Sequence, residues 1–301
     1  MPAVPVLNRI KIATISAPDV GKISELYQKW LGYETVEAGK IAAPLADSWG
    51  APAMKGRPYV VMQPASKVPV YIRAVGIDAV PNYSPMTGWG WNAIEILVAD
   101  PVHLNRELAD SPFVIIGKPR PLNRFPNIVA LQARGPAREI LYFTCDTAPA
   151  DKAFLPPAGA TVGRPFVVVV GGPSAERIID WYAEHFGIDK GGPIGSTAVD
   201  IIQQAQGLPD DHQFPLLFTG MKERAHFIEI DGYAPTTGPK PRRHAQLEPG
   251  VSMASLGVDT LEGLKTPFFT PPLAVEGIGY DGRRTATTVG AAGELVELIE
   301  G

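Results

Sequence analysis

Apolar residues along this chain occur in short, strand-sized runs interrupted by two stretches with helical periodicity. The helical stretches, residues 24–33 and 179–188, each place apolar side chains on one face and contain a glycine suited to a helix C-terminus. Strand-like runs follow each of them, at residues 60–72 and 216–228. The pattern predicts an α+β protein in which strands outnumber helices.

The two halves of the chain repeat one another. Gly32 ends the first helical stretch and Gly187 ends the second, a shift of 187 − 32 = 155 residues. The strands that follow keep a shift of 232 − 76 = 156, measured between Gly76 and Gly232. Weaker correspondences divide each half again, which predicts four copies of a βαβββ unit. We call these units modules one to four, at residues 1–80, 86–145, 163–235 and 249–301.

A proline-rich segment at residues 146–163 predicts the boundary between two domains, because prolines and small residues favour connections over regular structure. Modules one and two are expected to form the first domain, residues 1–148. Modules three and four are expected to form the second, residues 160–301.

Composition narrows the class of function. Apolar residues make up 45% of the chain and charged residues 19%, which is typical of a globular protein. A net charge of −4 gives no electrostatic reason to expect a nucleic acid as partner. With one cysteine, no apolar run of membrane-spanning length and no signal-peptide pattern, we expect a cytoplasmic protein that acts on a small molecule and has no membrane partner. The sequence is compatible with a homo-oligomeric state.

Two motifs resemble the vicinal oxygen chelate superfamily, which includes glyoxalase I, extradiol dioxygenases and bleomycin resistance proteins. They are the helix end Tyr-x-x-x-Leu-Gly-Tyr at residues 27–33 and the closing strand Gly-Glu-Leu-Val-Glu-Leu-Ile-Glu at residues 293–300. The resemblance implies that modules pair into two glyoxalase-type domains with curved mixed sheets, each enclosing a cavity. It also implies divalent-metal ligands on the first and last strands of a module, usually His or Gln on the first and Glu on the last. In four-module relatives the second domain holds the active site.

The superfamily's ligand positions can be counted onto this chain. The first-strand positions are Ile12, Ala93, Val167 and Ser252, none of which is His or Gln. The last-strand positions are Arg73, Leu141, Glu229 and Glu297.

The first domain is therefore expected to bind no metal, since Arg73 cannot ligate a cation and its companions offer no donor atom. Arg73 and Glu95 could instead face one another there.

The second domain is the expected active site. Glu229 and Glu297 are expected to point into one cavity, where two close carboxylates favour a raised pKa and an acid–base role. The same pair could hold a divalent ion. Ser252 and Val167 are expected between them as substrate-binding residues, and His212, from a polar loop, could fold over the cavity and supply a further contact.

Three functions follow from this site. The first is proton transfer on a small oxygenated, possibly aromatic, compound, as a lyase or isomerase using Glu297 and Glu229. The second is a non-catalytic small-molecule binding protein of the resistance type. The third is an extradiol-type dioxygenase with substitute ligands such as His212.

Overall fold

The computed structural model describes residues 6–190, 193–197 and 199–301. Module one consists of β1 (Leu7–Ala17), α1 (Val20–Leu31), β2 (Tyr33–Lys40), α2 (Ala43–Ser48), β3 (Pro58–Pro64) and β4 (Tyr71–Gly76). Module two consists of β5 (Gly88–Val98), α3 (Pro101–Glu107), β6 (Val114–Leu122), β7 (Phe125–Arg134) and β8 (Ile140–Asp146). Single 3-10 turns lie at Pro52–Met54 and Leu108–Asp110.

Module three consists of β9 (Val162–Gly172), α4 (Ala175–Phe186), β10 (Pro193–Thr197), α5 (Asp200–Gln206), β11 (Phe214–Gly220) and β12 (Phe227–Gly232). After the short β13 (Gly238–Pro239), module four consists of β14 (Gly250–Val258), β15 (Leu273–Ala274), β16 (Arg284–Val289) and β17 (Leu295–Glu300). Strands thus dominate, and the predicted α+β class is confirmed.

Local sequence signals explain the two long helices. The Asp19 carboxylate accepts a hydrogen bond from the Lys22 amide and begins α1, and Ser174 begins α4 in the same way through the Arg177 amide. Each helix ends at a left-handed glycine, Gly32 at φ 65° and Gly187 at φ 62°, a conformation in which glycine pays no Cβ penalty.

Module four departs from the predicted unit because it has no helix between its first two strands. Residues 259–272 form bends and turns instead. Gly263, Pro267, Pro271 and Pro272 interrupt this stretch, and each proline removes a backbone donor that a helix interior needs.

The modules pair in an order that the sequence did not predict. Among the described residues the strands form two sheets, with orders β15-β16-β17-β14-β1-β4-β3-β2 and β10-β11-β12-β9-β5-β8-β7-β6. The first sheet joins modules one and four through antiparallel β1 and β14, and the second joins modules two and three through antiparallel β5 and β9. We call them sheet 1/4 and sheet 2/3. The expectation that neighbouring modules share a sheet is wrong, because first strands of similar apolar pattern can pair with more than one partner.

Modules that follow one another in the chain contact through a repeated buried tyrosine–glutamate pair instead. The Tyr27 hydroxyl on α1 donates to the Glu139 carboxyl before β8, at 2.6 Å. At the equivalent positions, Tyr182 on α4 lies near Glu294 before β17; burial raises the pKa of Tyr182, and the charge of Glu294 raises it further. Both shifts are 155 residues, from 182 − 27 and from 294 − 139. Burial raises the pKa of Glu139 and that of Glu294 to about 7.

One large apolar core includes buried residues of α1, α4 and strands of both sheets, such as Leu26, Ile94, Ile178 and Leu256. Two smaller apolar clusters lie on the other face of each sheet, one containing Trp49 and Met253 and one containing Val169. No helix among the described residues is long and apolar enough to span a membrane.

Candidate active site

Each sheet has a face that turns away from the core helices and carries charged side chains. We call these faces cup 1/4 and cup 2/3, after the modules that form them. The two predicted catalytic residues lie in different cups: Glu297 is on β17 in sheet 1/4, and Glu229 is on β12 in sheet 2/3. The prediction that they form one carboxylate pair is therefore wrong, since module three pairs with module two rather than with module four.

In cup 1/4, Glu297 is fully buried and fully hydrogen-bonded. Its Oε1 accepts from Trp49 Nε1 at 2.7 Å and from the Tyr280 hydroxyl at 2.8 Å. Its Oε2 accepts from the Ser255 hydroxyl and from Arg73 Nη2, the latter at 3.2 Å. Four donors from the protein occupy the acceptor sites of this carboxylate, so none is left for a ligand.

Arg73 is the counter-ion of Glu297 and is only 2% exposed. Burial acts to lower the pKa of Arg73, but the charges and hydrogen bonds of Tyr280 and Glu297 outweigh it and raise that pKa. The guanidinium also lies 4.6 Å from the centroid of the Trp49 ring. Arg73 thus forms a buried ion pair as expected for its position, but with Glu297 and not with Glu95.

Little space remains in cup 1/4. The segment around α2 places Trp49 over the ion pair, and Tyr280 covers it from module four. The cavity beside them, bounded by Glu37, Tyr59, Arg73 and Tyr280, has a volume of about 30 Å³. That is the room of about one water molecule, so cup 1/4 is a filled core with a buried ion pair rather than a substrate cavity.

Cup 2/3 holds a carboxyl pair in a different state. Glu229 on β12 is hydrogen-bonded to Glu95 on β5, and both side chains are only partly buried. The Thr144 hydroxyl donates to Glu95 Oε2 at 3.2 Å. Burial raises the pKa of Glu229 well above its ordinary value, and the charge of Glu95 raises it further. Burial likewise raises the pKa of Glu95, while its hydrogen bonds from Thr144 and Glu229 oppose the rise. Two neighbouring carboxyls cannot both ionise without a large cost in free energy, which favours a single proton held between them.

A third carboxyl stands beside this pair. Asp231 follows Glu229 by two residues on β12 and so faces the same cup. It is 1% exposed, and neither of its oxygens has a hydrogen-bond partner among the described residues. Burial raises the pKa of Asp231 well above its ordinary value, and the charge of Glu229 adds to this.

Two tyrosines complete the polar floor of the cup. Burial raises the pKa of Tyr142, on β8, and the charges of Asp231 and Glu229 raise it further. The ring of Tyr233 lies over Gly171 of β9, where an added Cβ would come within 2.3 Å of the ring. Glycine at this position therefore lets Tyr233 lie against the sheet. The Tyr233 hydroxyl also has no hydrogen-bond partner within the described part of the chain.

Phenylalanines form an aromatic side to cup 2/3. Phe218 on β11 lies opposite Glu229 in register, and its ring is 4.6 Å from that of Phe227 on β12. Phe154, from the segment between modules two and three, stacks on Phe227 at 5.5 Å. These rings are partly or well exposed, so an apolar surface adjoins the carboxyl pair.

The predicted substrate-binding residues are divided between the two halves. Val167 is buried on β9, opposite Glu95 in register, and belongs to the apolar cluster of cup 2/3. Ser252 lies on β14 in sheet 1/4, where its hydroxyl is hydrogen-bonded to Ser16 at 2.9 Å, so it does not accompany Glu229. The ring of His212 packs edge-on against Phe214 at 4.7 Å, on the side of module three.

The donor set of neither cup fits the divalent metal that the superfamily resemblance implies. In cup 1/4 the buried carboxylate Glu297 is occupied by four donors, one of which is a cation. In cup 2/3 the Glu95–Glu229 pair is bonded to itself, and no three His, Cys, Asp or Glu side chains of the described residues are placed to hold a metal. His212 packs against the ring of Phe214. Cup 2/3 is better suited to proton transfer by the carboxyls themselves.

A surface groove of about 520 Å³ also runs along α4, next to Arg177, Trp181 and Glu184. It contains none of the predicted site residues and neither buried carboxyl cluster. We therefore assign no chemistry to it.

Sequence reasoning identifies only part of the carboxyl cluster in cup 2/3. Glu95 lies on the inner face of its strand, as the sequence predicts, but its partner is Glu229 rather than Arg73, because modules one and two do not share a sheet. Asp231 is not at any of the counted ligand positions, so the superfamily pattern does not identify it. The two-residue period of a strand places Asp231 on the face of Glu229 and was the available signal.

Comparison with known proteins bears out the fold. The sequence matches no protein family model, and no curated protein matches it. The structure is similar to glyoxalase I from Zea mays, with a TM-score of 0.62, 14% identity, and coverage of 97% of this chain and 92% of that chain. It is also similar to a proposed dioxygenase from Bacillus subtilis, with a TM-score of 0.64, 9% identity, and coverage of 98% and 86%. At these identities the likeness shows the fold alone. The chain has a glyoxalase-type fold, consistent with the resemblance to the vicinal oxygen chelate superfamily.

Proposed function

We propose that this protein is an enzyme that moves a proton on a small oxygenated organic compound, as an isomerase or lyase, and that the reaction takes place in cup 2/3. The observation that carries the proposal is the hydrogen-bonded, partly exposed Glu95–Glu229 pair. Carboxyls whose pKa values are shifted toward neutrality are suited to act as general acid and general base.

The two carboxyls have different roles in this scheme. In this scheme Glu229 holds the shared proton, because burial and the charge of Glu95 both raise its pKa, while Glu95, which accepts from the Thr144 hydroxyl, is the carboxylate. Glu95 accepts a proton from a carbon next to a carbonyl group, and Glu229 donates its proton to the carbonyl oxygen as charge develops there. Return of a proton to a neighbouring carbon gives an isomer, and loss of a leaving group gives an elimination product. The protein returns to one shared proton at the end of the cycle.

Glu297 has no part in this chemistry, although its sequence context matches the superfamily's last strand. Its four donors and complete burial leave no position from which a substrate proton could reach it. The lyase or isomerase proposal therefore retains Glu229 as one of the two acid–base groups and takes Glu95, instead of Glu297, as the other.

Deuterium exchange tests the proposal without knowledge of the natural substrate. In D₂O, the wild-type protein should exchange carbon-bound hydrogen of at least one member of a panel of hydroxyketones, ketoacids, cyclic ketones and aryl aminoketones, followed by proton NMR. Glu229→Gln and Glu95→Gln should each lower the exchange rate by about 10²–10⁴-fold, because an amide cannot relay the proton. Asp211→Asn, an exposed carboxylate of module three, is the matched control and should exchange at the wild-type rate.

Undiminished exchange in both glutamine variants, with their folds intact by circular dichroism, would overturn the proposal. A non-catalytic binding protein is the second candidate, and the aromatic side formed by Phe154, Phe218 and Phe227 favours it. Saturable binding of a panel compound with no exchange after prolonged incubation would select that candidate.

A further inference from the structure

Cup 2/3 is acidic and has no compensating positive charge. The groups that act on the pKa values of Glu95, Glu229 and Asp231 among the described residues are hydroxyls and carboxyls, with no lysine or arginine. Residues 191–198, which border β10, contain no charged amino acid in their sequence. A carboxylate, phosphate or sulfate on a ligand would therefore meet repulsion without a counter-charge.

Asp231 points more specifically to what the cup accepts. Its carboxyl is buried without a partner, and so is the neighbouring Tyr233 hydroxyl. A buried polar group without a partner costs about 1–3 kcal/mol, which a ligand that supplies donors would recover. A carboxyl accepts hydrogen bonds and attracts positive charge, so the complementary ligand group is a charged donor.

The aromatic side of the cup defines the rest of the ligand. Phe218 lies opposite Glu229 in register, and Asp231 is two residues further along the same strand as Glu229. Two residues of strand span about 6.6 Å. A flat ring on Phe218, with its far edge toward Phe227, would thus need a substituent at least two carbons long to reach toward the level of Asp231.

We propose that the substrate of cup 2/3 is an oxygenated compound that also carries an aromatic ring and an alkylammonium group, with its ring against Phe218 and Phe227 and its ammonium group at Asp231. This inference rests on the proposed function and names the class of substrate for it. The ammonium favours the ionised form of Asp231, against the burial that raises the pKa of this carboxyl, and leaves the Glu95–Glu229 pair to act on the reacting carbon. Aromatic rings beside the cation add further attraction.

A series of three probes of similar shape tests this on the wild-type protein by titration calorimetry at pH 7. The probes are 2-phenylethylammonium, 2-phenylethanol and 3-phenylpropionate. The ammonium should bind saturably with a Kd of about 1 mM or tighter, as expected for nine non-hydrogen atoms in a matching site. The alcohol should bind at least about tenfold more weakly, and the carboxylate should not bind measurably.

Variants locate the site. Asp231→Asn should weaken binding of the ammonium by about tenfold or more and leave binding of the alcohol unchanged, since it removes the carboxylate charge but keeps the shape of the side chain. Phe218→Ala should weaken binding of both the ammonium and the alcohol. Asp211→Asn, the exposed control, should change the affinity for none of the three probes. Should a variant fail to fold, the probe series on the wild-type chain still decides.

Two results would overturn the inference: 3-phenylpropionate binding as tightly as the ammonium, or Asp231→Asn leaving the preference for the cation intact. Absence of saturable ammonium binding would do the same. These failures are distinct from failure of the proposed function. Exchange that needs Glu229 but acts only on the anionic or neutral members of the panel, and not on the aminoketones, would reject the amine alone. Tight ammonium binding with no exchange of any compound would reject the catalysis alone.

Discussion

Replacing Glu297 by alanine should lower the free energy of unfolding by about 3–5 kcal/mol, the largest single-site effect that we expect. The substitution leaves the Arg73 guanidinium buried at 2% exposure without its counter-ion, and it removes the acceptor of Trp49, Ser255 and Tyr280. Urea denaturation followed by tryptophan fluorescence measures the change.

A paired substitution separates charge from packing. Arg73→Met combined with Glu297→Leu removes both charges and keeps apolar volume in the cup, so it should recover most of the loss. Glu229→Gln is the matched comparison from the other cup and should change stability by no more than about 1 kcal/mol, since its carboxyl already holds a proton. A loss of under 1 kcal/mol for Glu297→Ala would contradict the structural role of the ion pair.

The free energy of unfolding should fall as the pH rises from 5 to 8. Burial raises the pKa of Glu139 and of Glu294 to about 7, whereas an unfolded chain releases these protons near pH 4.3. Between those values the folded state binds more protons than the unfolded state, so each pH increment costs stability. The stabilising contribution is complete below about pH 4.3 and is lost as the pH rises through 7, on the order of 4 kcal/mol in full for each group.

Denaturation midpoints across this pH range test the slope. Glu139→Gln keeps an oxygen that can accept from Tyr27, and Glu294→Gln keeps the shape of the side chain beside Tyr182, so each should flatten the curve without disrupting the packing. Because the two sites are related by the repeat, their effects should be similar in size. Stability that rises with pH over this range, or glutamine variants that leave the slope unchanged, would show that these carboxyls are ionised in the folded protein.

Local features of the fold could be predicted from sequence because they depend on neighbouring residues. The periodicity of α1 and α4, and the glycines that end them, identified both helices and the repeat. Module four has no helix because its proline-rich segment overrides the expected repeat, and that signal was visible in the sequence.

The pairing of modules could not be predicted in this way. It depends on contacts between β1 and β14, which are separated by more than two hundred residues, and the apolar first strands of all modules look alike. The pairing of modules determines which charged side chains meet in each cup. The sequence predicts Arg73 opposite Glu95 and Glu229 opposite Glu297, whereas the structure pairs Arg73 with Glu297 and Glu229 with Glu95.

The two cups differ in what faces the glutamate on the last strand of the module. Trp49 reaches Glu297 from the segment around α2, and together with Arg73 it satisfies the carboxylate. In cup 2/3 the corresponding carboxyl, Glu229, meets another carboxyl instead of a cation, so its proton is retained. The identity of the side chain opposite the glutamate, rather than the glutamate itself, distinguishes the two.

The most direct test of this account is the protonation state of the Glu95–Glu229 pair. Carbon-13 NMR of protein labelled at glutamate carboxyls, compared with Glu95→Gln and Glu229→Gln, assigns the two signals and follows them with pH. We predict that one proton stays on the pair at pH 7 and that the signal lost in Glu229→Gln titrates with a pKa well above the ordinary glutamate value. Two carboxyls that both titrate near pH 4.3, as in an unfolded chain, would contradict the assignment of cup 2/3 as the active site.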